Sequence, residues 1–457
     1  MENKKYRILI LALIGLFSSC SKDWLEKKPD ISLVVPKSLG DLQALMDNTF
    51  QAFNFGGCVL GEVASDNYYV TPEVYQSMSL LERNAYAWST EIYTSNYDVF
   101  EWQIGYTQIY YTNVVLETLK ELNPQKDITL YNNVLGSALF YRSFAYYDMV
   151  QVYAKGYDEH TANTDLGLPI KVSSNINELS ARSTIAETYK RIIEDTKQAS
   201  QSLPLVQDYK TRPSKPAAFA LLARTYLAME QYQEAYLYAD SCLQLYSKLL
   251  QFKDLDLNSS TPIPRFNDEI LFASTMASLN TLFIGSSAKI DSGLYNSYEP
   301  RDLRKSVFFK IGISGLPELF GRYSADDYVL FNGLAVDEIY LIRAEAACRT
   351  GQYAKGMEDL NTLLKTRWDK GFIELTADNQ EEALLKILAE RRKELCFRGL
   401  RWSDLKRLNK DERFKKTLVR MVNGTEYTLP PNDNRYVYPI PPLETNLNPS
   451  IVQNPRN

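Results

Sequence analysis

The stretch Ala217-Ala-Phe-Ala-Leu-Leu-Ala-Arg-Thr-Tyr-Leu227, then the short turn Glu230-Gln231-Tyr232, then Glu234-Ala-Tyr-Leu-Tyr-Ala-Asp240, reads as two helices folded back on each other. Strong helix formers fill both arms, and the alanines leave room for a neighbouring helix to come close. The pattern returns between Asp337 and Leu364, with Ala344, Ala346, Ala347, the turn Gly351-Gln352-Tyr353, and Leu360. Tyr232 and Tyr353 correspond, with Ala228 and Ala347 as the small residues of close approach. Both units are of tetratricopeptide type, a repeat that usually recurs about every 34 residues. These two lie 121 residues apart (353 minus 232). A mainly α fold is therefore expected, with such units scattered through a larger body and no tandem solenoid.

Helical periodicity extends outward from the units. Amphipathic stretches are predicted over Lys37–Phe53, Trp102–Leu122 and Leu130–Tyr153. Thr184-x-x-Glu187 is a capping box, in which hydroxyl and carboxylate satisfy each other's backbone donors, and Leu203-Pro204 closes the helix behind it. Asp378-x-x-Glu381 is read as the cap of a last long helix running to Gly399, with Glu394 and Arg398 as i,i+4 partners. Between the units, Gln251–Leu334 is rich in Pro, Gly, Asn and Ser and has little periodicity, the mark of an insertion or a functional region. The tail around Tyr438-Pro439-Ile440-Pro441-Pro442 is expected to run extended along the surface. The division that follows is 1–19 signal peptide, 20–250 N-terminal helical region and 251–457 C-terminal region. The last comprises loop-rich 251–334, helical 335–410 and extended 430–457.

The N-terminus sets the compartment. Lys4, Lys5 and Arg7 precede an apolar run from Ile8 to Phe17, and Ser18-Ser19-Cys20 follows before the chain turns polar. This is a secretory signal whose cleavage would make Cys20 the first mature residue, the start of a bacterial lipoprotein. The apolar run is shorter than the roughly 20 residues needed to span a bilayer. A lipid on Cys20 is thus the expected anchor. Asp23 and Glu26, interleaved with Lys22, Lys27 and Lys28, form a weak acidic surface-export signal.

Composition narrows the function classes. The net charge is −5 with no basic block, so no nucleic-acid partner is expected. Cys58, Cys242, Cys348 and Cys396 form no C-x-x-C pair; buried free thiols are favoured, with three pairings possible if all oxidise. With His160 as the only histidine, no metal and no cofactor are expected, and no P-loop, G-x-S-x-G or H-E-x-x-H motif occurs. The block Glu390-Arg391-Arg392-Lys393-Glu394 through Asp404 could suggest an acid–base pair. Basic residues flank each carboxylate, however, so it reads as ion pairing that pins a helix to its neighbours. Tyrosine is abundant, at 32 residues. Tyr110, Tyr111, Tyr146, Tyr147, Tyr226 and Tyr236 fall inside helical patterns and are assigned to packing, as are Tyr295 and Tyr298 beside Asp302.

Across nearly its whole length the sequence resembles the RagB/SusD family of nutrient-uptake lipoproteins from Bacteroidetes. The likeness begins at Cys20 with Trp24-Leu-Glu-Lys-Lys-Pro29 and continues through Glu62–Tyr69, then Trp102, Tyr106, Ile109 and Asn113. It runs on through Arg182-Ser183-Thr184 to Tyr189 and Asp195, and through Arg212-Pro-Ser-Lys215 to Ala223. Ala344-Glu345-Ala346, then Glu390-Arg391-Arg392, Glu394, Leu395, Gly399, Arg401, Trp402, Asp404 and Leu405 carry the C-terminal half. Tyr438–Pro441, Glu444, Asn448-Pro449 and Gln453-Asn454-Pro455 complete it. Arg398 stands where an acidic residue is usual and Leu400 where histidine is common, so local ion pairing is expected to differ there.

The resemblance implies a SusD-like helical fold on the outer face of the outer membrane. It implies a lid over a TonB-dependent β-barrel transporter (SusC-like) that binds an oligosaccharide and delivers it, with no catalytic residue. A lid for peptide import, a surface glycosidase and a tetratricopeptide-type adaptor are the alternatives. A sugar site needs aromatic platforms beside amide or carboxylate groups on loops. Two segments qualify, giving Asn67, Tyr68, Tyr69 and Tyr75 in one, and Trp88, Tyr93, Asn96 and Tyr97 in the other. Trp88 is equally readable as core, and Asp66 as structural. Failing these, the site is expected within Gln251–Leu334.

Overall fold

The computed structural model describes residues 36–49, 52–57, 59–93, 99–276 and 287–456. The signal peptide, Cys20, Cys58, Asn96 and Tyr97 lie outside the described residues.

Eleven helices build the frame: α1 (Leu39–Met46), α2 (Leu60–Ala64), α3 (Phe100–Glu121), α4 (Ile128–Tyr153), α5 (Ile185–Ser202), α6 (Lys215–Ala228), α7 (Tyr232–Leu245), α8 (Val336–Arg349), α9 (Tyr353–Leu364), α10 (Gln380–Glu394) and α11 (Arg401–Leu408). The fold is mainly α, as the periodicity requires. The Thr184/Glu187 capping box is present, and Ser38 with Asp41 forms a second one at α1. At α10 the cap falls one residue later than expected: the Asn379 side chain accepts from Glu382 N at 3.0 Å. That helix also ends at Glu394, because Phe397 (φ +59°) and Gly399 (φ +73°) turn the chain into the left-handed region. Glu394 and Arg398 therefore share no helix face, and Arg398 pairs with Asp337 instead.

The tetratricopeptide-type units are distant in sequence but joined in space. Each long helix from α3 to α8 packs on the next, and α8 also carries α9 and α10. The units are thus scattered along the chain, as expected, and packing of α7 on α8 carries the array across the insertion, a continuity the sequence spacing does not reveal. The two unit turns are equivalent. Glu230 (φ +59°) and Gly351 (φ +85°) occupy the same left-handed position, followed by Gln231 N–H to Tyr226 O at 2.9 Å and Gln352 N–H to Ala347 O at 2.8 Å. Of the tyrosines assigned to helix packing, Tyr146, Tyr147 and Tyr226 are buried, whereas Tyr110 faces solvent. Cys242, Cys348 and Cys396 are free buried thiols.

Buried ion pairs tie the array together. Arg142 on α4 donates to both Asp195 oxygens (2.7 and 2.9 Å) on α5 and to Asn113 Oδ1 (2.8 Å) on α3. Arg407 on α11 grips Glu345 on α8, and Arg391 on α10 reaches Asp404 on α11. Glu390 and Glu394 converge on Arg304 of the insertion, and Glu394 also accepts from Arg367, which pairs with Glu269. The charge block is a structural hub, though its partners come from far along the chain.

The insertion folds against this frame as short strands and helical turns. A four-stranded sheet runs Tyr68–Tyr69, Lys289–Ile290, Pro317–Leu319, Phe309–Ile311 in spatial order. Ile270–Phe272 pairs with Leu334–Ala335, and Phe55–Gly57 runs parallel to Thr275–Met276. The expected surface tail is in fact structural. Tyr438 and Ile440 are buried, and Pro442 opens a short helix to Leu447, a position where proline's missing N–H costs nothing. Asn454 Nδ2 donates to Tyr153 O and Tyr438 O, and Tyr438 N–H to Val152 O, capping the end of α4.

Candidate functional site

The two candidate segments surround α2. This five-residue helix has few hydrogen bonds of its own, and distant groups supply the rest. Glu101 accepts from Leu60 N–H, while Tyr438 O–H donates to Leu60 O. Tyr68 O–H donates to Val63 O, and the Trp88 indole N–H to Ala64 O at 3.0 Å. Arg420, on the hairpin Leu418–Leu429, lies 3.7 Å from the Tyr86 ring centre and 4.5 Å from that of Trp88, and donates to Val63 O. Its guanidinium also donates to Tyr86 O and Ser65 O.

This arrangement corrects part of the sequence reading. Asn67, Tyr68, Trp88 and Tyr93 are buried, so their faces are turned to protein, and Trp88 holds a left-handed backbone (φ +51°). Tyr68-Tyr69 is a strand, so side chains alternate: Tyr68 points inward and Tyr69 is exposed. Tyr75 is half-buried beside Tyr86; burial and a hydrogen bond with Tyr427 push its hydroxyl up to about 12. Asp66 is structural, as expected. Burial alone would raise it, but Arg401, Arg392 and Lys416 outweigh burial and hold it well below the usual carboxylate range. Tyr298 is packed as expected, its hydroxyl donating to Lys393 O.

A concave site that sequence reasoning did not resolve lies where the N-terminal turn meets the insertion. This cleft of about 160 Å³ is lined by Asn54, Phe55, Arg265, Phe266, Thr275, Tyr323, Asp326 and Phe331, among others. Asn54 stitches its walls together: Nδ2 donates to Thr211 O (2.8 Å) and Ala273 O (2.7 Å), and Oδ1 accepts from Tyr141 O–H. Exposed Phe266 forms one side with the Arg265 guanidinium 4.8 Å from its ring centre. Phe55 forms another, 6.3 Å from the half-exposed Phe100 ring. The Tyr323 and Phe331 rings, 5.8 Å apart, are the buried floor.

Three non-glycine residues at or beside the cleft hold left-handed backbones: Asn54 (φ +62°), Phe266 (φ +55°) and Ala325 (φ +50°). Such conformations are costly for a bulky residue and cluster where geometry serves binding. Chemically the cleft offers aromatic faces, one cation at Arg265 and one exposed carboxylate at Asp326, suited to a ligand with apolar faces and polar edges. A phenylalanine flanked by Arg265 in a polar, aperiodic stretch was the only local signal for it.

Residues 23–227 match the family described as "Starch-binding associating with outer membrane", a SusD-like group, and residues 337–456 match the SusD family. The chain belongs to the SusD/RagB family. A SusD-like protein of Formosa agariphila is 23% identical over 535 residues, covering 99% of each chain. The fold is that of a putative sugar binding protein from Bacteroides vulgatus, at TM-score 0.74 and 23% identity over 92% of this chain and 99% of that one. It is equally that of a SusD superfamily protein from Bacteroides thetaiotaomicron, at TM-score 0.73 and 20% identity over 92% and 100%. Several residues that carried the resemblance, among them Asn113, Asp195, Glu345 and Asn454, are the buried ties described above.

Proposed function

We propose that the protein is a carbohydrate-binding lipoprotein of the outer membrane, anchored through Cys20, which holds an oligosaccharide and passes it to a TonB-dependent β-barrel transporter without breaking a bond. Family membership along the chain supports the class of activity. The observation that carries the site is the cleft at Phe55, Phe266 and Arg265, with left-handed residues at Asn54, Phe266 and Ala325. Exposed Tyr69 and half-buried Tyr75 are proposed as additional contacts, together with Asn96 and Tyr97. A peptide cargo is the second reading, since Arg265 and Asp326 would also suit peptide charges.

The test is a glycan array with the mature protein, run with Phe266→Ala and Arg265→Ala. Loss of glycan binding in both variants supports the cleft, and binding unchanged in both removes it. Pull-down from native outer membrane tests the partner: a stable complex with a large β-barrel is expected, and recovery of the protein alone in mild detergent refutes the lid. New reducing ends on incubation with polysaccharide would replace binding with glycosidase activity.

A further inference from the structure

The structure places Arg398 directly behind the cleft. Its guanidinium lies 4.2 Å from the Tyr323 ring centre and 4.7 Å from that of Phe331, the two rings of the cleft floor. Nη1 donates to Asp337 Oδ2 at 2.9 Å, while Nε and Nη2, both buried, have no partner among the described residues. The segment that presents it is held in place by left-handed residues on both sides, Phe397 and Gly399.

Two cavities flank Arg398, each with about 20 Å³ open to the centre of a water molecule. One is bounded by Asp148, Gln151 and Asn332, whose Oδ1 is likewise buried and unpartnered while its Nδ2 donates to Asp148 at 2.7 Å. The other is bounded by Arg322, with an unpartnered Nε, and by Tyr323 and Phe331 themselves. A single water needs roughly 10–15 Å³ and two to four polar partners.

We propose that Arg398 is the positioning residue of the cleft floor: lying against both Tyr323 and Phe331 from behind and completed by resident water in both cavities, it fixes where those rings stand beneath a bound sugar. This rests on the cleft being the binding site. The broad guanidinium reaches both rings and Asp337 at once, whereas the compact ammonium of lysine cannot, so Arg398→Lys keeps the charge facing Asp337 and removes the double ring contact.

The experiment pairs high-resolution crystal structures of the wild type and Arg398→Lys with a glycan array that also includes Phe266→Ala. The expected result is ordered water in both wild-type cavities, displaced Tyr323 and Phe331 rings in Arg398→Lys, and roughly 3- to 30-fold weaker glycan binding. Dry wild-type cavities overturn the inference even if the variant fails to fold. Weakened binding in Phe266→Ala with unmoved rings and wild-type affinity in Arg398→Lys overturns it while sparing the cleft. If no printed glycan binds, or neither variant changes binding, the cleft reading falls and the inference with it.

Discussion

Replacing Glu101 with glutamine should change the slope of stability against pH. Glu101 opens α3 fully buried, accepts Leu60 N–H at 3.0 Å as the cap of α2, and has no cation beside it among the described residues. Burial pushes its carboxyl from 4.5 up to about 8, with backbone bonds from Leu60 and Val59 opposing only in part. Between those values the folded chain keeps a proton that the unfolded chain releases. Stability from this group is therefore fully present below pH 4.5 and is lost as pH rises towards 8. The slope is about 1.4 kcal/mol per pH unit, so roughly 3 kcal/mol is gone by pH 7. Glutamine keeps the acceptor for Leu60 but adds an amide donor that needs a partner, costing about 1–3 kcal/mol at every pH. Glu101→Gln should thus be less stable than the wild type at pH 5 and more stable at pH 8. Chemical denaturation of both proteins across that range measures the difference. Parallel stability profiles would refute the claim that Glu101 titrates inside the fold.

Three further outcomes follow from the packing. Arg367→Met strips the cation from buried Glu269 and leaves Glu394 with Arg304 alone, and should cost about 3–5 kcal/mol by denaturant melts; a loss under 1 would show that the hub relaxes. Trp88→Ala should lose about 3–5 kcal/mol of stability while the folded fraction keeps its glycan affinity in calorimetry, since the indole is framework. Gly351→Ala isolates backbone strain, because its added Cβ meets nothing within 4 Å; a loss of about 1–2 kcal/mol is expected, and none would deny the left-handed turn.

The helices were legible because their signals are local. Thr184 and Glu187 sit three residues apart, and apolar spacing marked α3 and α4 within a residue or two of their ends. The partners of the charge block were not, since Arg304 lies 86 and 90 residues from Glu390 and Glu394 and nothing in either segment encodes the meeting. The cleft lies largely in the fallback region Gln251–Leu334, but its residues were not legible, because it gathers Phe55, Thr211, Phe266 and Phe331 from four separate stretches. The aromatic motif at Tyr68 and Trp88 misled because rings beside amides suit a core tied to backbone carbonyls as well as they suit a sugar. Tyr68 and Tyr69 both read as candidates, but the strand they form turns only Tyr69 outward.

The tail contacts bear on the order of assembly. Asn454 reaches Tyr153 across 301 residues, and Tyr438 reaches Leu60 across 378. Helices made early therefore wait, with open ends, for residues that leave the ribosome last. A nascent or clipped chain stopping short of Tyr438 should be protease-sensitive throughout its N-terminal half, so the molecule matures in one cooperative step rather than piece by piece.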